Sequence, residues 1–113
     1  MTANEYQKAA LRTERGMNVK TDNDRLINGL MGLNGEAGEA IDVMKKYLYQ
    51  GHPLDRSHIA KELGDVAWYL AVTADALGYA LEDIFKMNIE KLTARYPNGF
   101  EEGKSMNRAE GDI

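Results

Sequence analysis

Two short runs of acids carry most of the chemistry available to this sequence. Glu36 and Glu39 lie three residues apart, and the spacing repeats 26 positions later as Glu62 and Asp65. Residues three apart on an α-helix project from one face, so two helices packed side by side would gather four carboxylates. Like charges so placed repel, and the cluster survives only with cations among them or with some acids protonated. Carboxylate oxygens are hard ligands suited to Mg2+ or Mn2+. A metal centre is therefore the first expectation.

Two plainer readings compete with it. Helical acids usually face solvent, or they form a salt-bridge network, for which Lys45, Lys46 and Lys61 are available. Both acid pairs, however, border apolar residues: Leu33, Ala37, Ala40 and Ile41 around the first, Leu63, Val66 and Ala67 around the second. An unpaired charge is expensive there, and the balance favours a metal. Other chemistries lack their residues. No Glu-x-x-His occurs, as a ferritin-like di-iron site would need. There are no cysteines, which excludes disulfides and thiolate chemistry. His52 and His58 sit in or near a turn and read as surface residues, and neither a zinc motif nor a Ser-His-Asp set can be assembled.

The elements that must position these acids are helical. Residues 2–15 are good helix formers, with Thr2 or Asn4 as cap, Gly16 as stop and a thin apolar face of Tyr6, Ala9, Ala10 and Leu11. This is a peripheral helix. A long helix is expected from about 24 to 50, capped by Asp22, Asn23 or Asp24, with Leu26, Leu30, Leu33, Ala37, Ile41 and Met44 among its apolar recurrences. Gly29, Gly32, Gly35 and Gly38 fall inside it, each costing roughly 1 kcal/mol against Ala. Close approach by a neighbouring backbone or a ligand would offset that cost; a loop or frayed helix start is the alternative. A phosphate-cradling loop is disfavoured, because the Lys-Ser/Thr completing that pattern is missing. Gln50-Gly51-His52-Pro53 is a turn, and Asp55 caps a third, mostly buried helix running to about residue 77, where Gly78 ends it. A fourth reaches Tyr96 before Pro97-Asn98-Gly99, and residues 101–113 form a loosely ordered polar tail. No stretch alternates with period two. The expectation is an all-α bundle of two long antiparallel helices, a shorter C-terminal helix and the peripheral N-terminal one.

The chain of 113 residues reads as one domain, near the lower limit for burying a sizeable core unaided. With 43% hydrophobic and 28% charged residues it is not disordered. Its 18 acids outweigh 14 bases, for a net charge of -4 and no basic run, which leaves no footprint for duplex nucleic acid. A nucleotide carrying Mg2+ remains compatible, since the ion reverses the local sign. Without an apolar leader or an 18-residue apolar run, neither secretion nor membrane insertion is inferred, and the cytoplasm is the default.

Glu36-x-x-Glu39, a gap of 22 residues and Glu62-x-x-Asp65 resemble the acidic signature of the all-α nucleoside triphosphate pyrophosphohydrolases. That superfamily includes MazG, dimeric dUTPases and phosphoribosyl-ATP pyrophosphohydrolase. Gly32–Ala40, Lys61–Leu70 and Asn88–Pro97 look most like the corresponding MazG segments, and the similarity spans about residues 22–100. The resemblance implies Mg2+-dependent cleavage of a nucleoside triphosphate between its α and β phosphates. Glu36, Glu39, Glu62 and Asp65 would hold metal, and Glu36 or Glu39 would take the proton of the attacking water. Lys91 and Arg95, four apart on the last helix, resemble phosphate-contacting bases, with solvated surface charge as their alternative; Lys46 is a third candidate. Asn88 and Tyr96 match nucleotide-contacting positions. Tyr69 would stack on a base or bond to ligand, and Trp68 would wall the pocket, although ordinary packing suits both aromatics better. A non-catalytic helical interaction module and phosphoribosyl-ATP cleavage are the competing functions. The glycine ridge and the uncovered apolar faces of two long helices further imply a homo-oligomer, a dimer or a tetramer built from dimers.

Overall fold

The computed structural model describes residues 1–113 and contains five helices with no strand. They are α1 (Ala3–Glu14), α2 (Asp22–Tyr49), α3 (Arg56–Ala76), α4 (Leu81–Arg95) and α5 (Glu102–Met106). The fold is all-α, as the periodicity predicts. The chain forms two compact units, Met1–Leu81 and Glu82–Ile113.

Local sequence sets the helix boundaries in the first unit. Thr2 Oγ1 accepts the Glu5 amide at 3.1 Å and starts α1. Asp55 Oδ1 accepts the His58 amide at 2.9 Å and starts α3. The cap of α2 is Thr21, whose Oγ1 accepts the Asp24 amide at 3.1 Å, not one of the three residues expected for it. Threonine fills this role with an extended backbone, which leaves Asp22 and Asp24 inside the first turn, where negative charge meets the positive end of the helix dipole. Gly51 and Gly78 adopt φ of 72° and 85°, the left-handed conformation that ends a helix at least cost with glycine.

α2 and α3 are antiparallel neighbours, with Gly29 opposite Thr73 and Gly32 opposite Tyr69. A Cβ on either glycine would collide with the Thr73 hydroxyl or the Tyr69 ring, so this half of the glycine ridge admits side chains of α3 rather than its backbone. Gly35 and Gly38 have nothing within 4 Å of that position; packing does not explain them.

The core is small: Ala10, Ala71, Val72 and Leu81, edged by Tyr6, Leu11, Trp68 and Leu70. α1 packs on α3 and compensates for its thin apolar face with Gln7. That buried amide donates to the carbonyls of Ala71 and Tyr79, both at 3.1 Å, and accepts the Leu81 amide at 3.0 Å. Contrary to the expectation of a mostly buried helix, α3 buries only Glu62 and the Ala71–Ala74 stretch, and Leu63 and Leu77 are exposed. Arg25 of α2 joins the three helices by pairing with Glu14 at 2.8 Å and Asp75 at 2.7 Å.

In the second unit, Arg95 grips Asp112 through two bonds of 2.8 and 2.6 Å. The polar tail is therefore more ordered than expected: it contains α5 and returns a carboxylate to the end of α4.

Candidate metal centre

The antiparallel register that sets Gly32 against Tyr69 also brings Glu36 of α2 to Glu62 and Asp65 of α3. One carboxylate oxygen from each of the three lies within 4.8 Å of the others. Opposed ligands of an ion with 2.0–2.1 Å bonds stand about 4.2 Å apart, so small side-chain rotations would suffice to hold a hard cation. Glu62 is buried, Glu36 half-buried and Asp65 exposed, which leaves the cluster open on one side.

Glu39 is outside this group of three. It lines a cavity of about 700 Å3 with Gly35, Gly38, Asp42, Lys46, His52 and His58, so the two glycines without packing neighbours face open space beside the acids. Its charge still reaches the cluster. The carboxyl of Glu36 is raised above the ordinary range, first by its hydrogen bond with Glu62, then by burial and by the charges of Asp65, Glu62 and Glu39. A carboxyl raised by other acids marks charge that the protein has not neutralised.

The lysines that could have done so are engaged elsewhere or apart. Lys45 and Lys46 pair with Asp42 at 2.8 and 3.1 Å and hold its carboxyl below the usual range. No lysine or arginine forms an ion pair with Glu36, Glu39, Glu62 or Asp65; the one basic side chain at the cluster is His58, whose Nε2–H donates to Glu62 Oε1 at 2.9 Å. His58 is exposed, as expected, but that reading misses its bond to an acid four residues on. The i,i+4 spacing was the available signal. Tyr6 is a second unanticipated neighbour. Its hydroxyl donates to the Gly64 carbonyl at 3.4 Å, and burial together with the charge of Asp65 raises its pKa.

The other anticipated residues have different surroundings. The Tyr69 ring covers Gly32 and meets Trp68 edge-on at 5.0 Å, while Trp68 borders the core; for both, the packing reading describes what they touch. Asn88, Lys91, Arg95 and Tyr96 belong to the second unit. Lys91 and Arg95 line a cavity of about 540 Å3 with Lys104 and Arg108, Asn88 is exposed, and Tyr96 packs on Phe100 at 5.2 Å.

Fold and cluster together define a class of all-α proteins built around carboxylates shared between two antiparallel helices. Within it, residues 26–100 match the MazG nucleotide pyrophosphohydrolase domain, and the chain belongs to that family. It is 38% identical over 82 residues to the Gene 37 protein of Mycobacterium phage L5, covering 69% of this chain and 72% of that protein. A shorter match of 41 residues, 42% identical, links 36% of this chain to 39% of the uncharacterised YvdC of Bacillus subtilis strain 168. No solved structure gives a significant match.

Proposed function

We propose that the protein is a Mg2+-dependent nucleoside triphosphate pyrophosphohydrolase of the cytoplasm, converting an NTP or dNTP to a nucleoside monophosphate and pyrophosphate. The observation that carries this reading is the convergence of Glu36, Glu62 and Asp65 within 4.8 Å, without a lysine or arginine partner, on the helices matched to the family. The hard-oxygen donor set suits Mg2+ or Mn2+, and the raised Glu36 carboxyl is the response of acids awaiting positive charge. When bound, the ion supplies Lewis-acid stabilisation to the phosphate oxygens.

The chain's residues then have separable roles. Glu36, Glu62 and Asp65 hold the cation. Glu39, on the cavity wall beside them, is suited to accept the proton of a water attacking phosphorus while the bridging P–O bond breaks and pyrophosphate leaves. Lys46 lines the same cavity and would meet the phosphates; Tyr69, Asn88, Lys91, Arg95 and Tyr96 are proposed as substrate contacts from the family resemblance.

Self-association belongs to the same proposal. Ile27, Leu30, Met31, Ile41 and Leu48 on α2 and Leu63 on α3 are all exposed, a concentration of apolar surface that suits a second copy of the chain. Sedimentation is expected to give a dimer or tetramer, and a stable monomer at micromolar concentration would overturn this part. The central test is product analysis. With Mg2+ and a panel of standard and modified triphosphates, pyrophosphate rather than orthophosphate should appear from at least one; release from phosphoribosyl-ATP alone would select that competing reading. Release from none would leave the non-catalytic module as the reading.

A further inference from the structure

We propose that His58 is a positioning residue for the metal centre, holding the Glu62 carboxylate in the orientation in which it ligates the cation. The inference rests on the metal reading above and deepens it. Glu62 is the most enclosed of the three clustered acids, with a side chain 9% exposed against 50% for His58. One of its oxygens is occupied by the His58 Nε2–H at 2.9 Å. A carboxylate only accepts hydrogen bonds, so the imidazole must donate through Nε2.

The local fold explains why the histidine is available at this spot. His58 lies in the first turn of α3, and its amide is fixed by the capping carboxylate of Asp55 at 2.9 Å. Glu62 follows one turn later, on the same face. Cap, imidazole and ligand thus form a short rigid series leading from the α2–α3 turn to the acid cluster. Glu62 also shares a hydrogen bond with Glu36, which exists only while one of the two carries a proton. Once all three acids are ionised they repel, and a Glu62 side chain with no other partner would swing away. The bond from His58 removes that freedom before a cation arrives, as outer-shell partners commonly do for metal ligands.

Mn2+ alone, titrated into full-length protein and followed by the EPR signal of the free ion, tests the proposal without reference to turnover. The variants are Glu62→Gln, His58→Leu and His58→Gln, each checked for helicity and melting temperature. Glu62→Gln should lose the site. His58→Leu should bind Mn2+ about 10- to 100-fold more weakly, whereas His58→Gln, whose amide N–H can replace Nε2–H, should stay close to wild type. A helix-stabilising role alone would shift the melting temperature of His58→Leu but leave its Mn2+ affinity unchanged; that result overturns the proposal while the metal centre stands. Equal weakening of both His58 variants would also overturn it, since hydrogen-bond donation would then not be the property that matters. If wild type and Glu62→Gln bind Mn2+ alike, the metal reading itself fails and takes the role of His58 with it.

Discussion

On one stretch of the α2–α3 pair, Glu14 and Asp75 share the guanidinium of Arg25 at 2.8 and 2.7 Å. Eleven residues further along α2, about 16 Å by helical rise, Glu36 meets Glu62 and Asp65 with no lysine or arginine among them. The chain can neutralise acids between these helices, and it does so where they hold α1 in place. In the second cluster the repulsion is retained. A site kept short of positive charge is costly to the protein alone and would be relieved by a cation from solution; under the proposed function, that contrast separates an architectural acid from a metal ligand.

The contrast breaks most visibly at Arg25. Arg25→Met should leave the buried Glu14 carboxylate without its partner and lower unfolding free energy by about 3–5 kcal/mol, read from urea denaturation. Combining it with Glu14→Leu should recover much of the loss. A single-variant effect below about 1 kcal/mol would mean that Arg25 is not the counter-ion that Glu14 needs.

Asp65→Asn is the matching change in the other cluster and should behave oppositely. Pyrophosphate release is expected to fall at least about 100-fold, some 2.7 kcal/mol of barrier, while metal-free stability stays level or rises as repulsion is relieved. A coincident large loss of stability would place Asp65 with the architectural acids. Mg2+ supplies the next test. At about 100 times its dissociation constant it should stabilise wild type by about 2.7 kcal/mol and Asp65→Asn far less; equal melting temperatures with EDTA and with Mg2+ would deny the cluster a cation.

The smallest effect is in the pH profile. The Glu36 carboxyl is raised from 4.5, so its contribution to stability is complete below that value and is lost as pH rises through the raised one. Asp112 has the opposite sign: Arg95 lowers its carboxyl from 3.8, so its contribution is present above that value and fades as pH falls through the lowered one. Metal-free protein should therefore gain stability as pH drops from neutrality toward the ordinary glutamate range, and Mg2+ should flatten that limb. Urea midpoints across this range, with and without the ion, decide; a flat metal-free profile would show that Glu36 is already compensated.

Much of the fold is legible because helix starts and stops depend on neighbours in sequence. Asp55 as a cap, the Gly51 turn and Gly78 as a stop all involve partners within a few residues. Thr21 is not distinguishable as the cap by residue type, because Asp22, Asn23 and Asp24 suit the role at least as well, and only the extended backbone at Thr21 selects it. The site is legible in part. Helical spacing aligns each acid pair but does not say that Glu39 would turn to the cavity while Glu36 meets Glu62. For the glycines, sequence spacing alone cannot separate Gly29 and Gly32, lying under α3 side chains, from Gly35 and Gly38 in the open.

From residue order alone follow the all-α class, the helix lengths and the two acid faces, because backbone hydrogen bonds and side-chain periodicity act over one or two turns. The placement of Arg25 between Glu14 and Asp75, the three bonds of Gln7 and the return of Asp112 to Arg95 connect residues 11 to 74 positions apart. Such contacts depend on helix register and on how the chain doubles back. A shift of one residue between α2 and α3 would rotate the facing side chains by about 100°, leaving the helices intact and the carboxylate cluster dispersed.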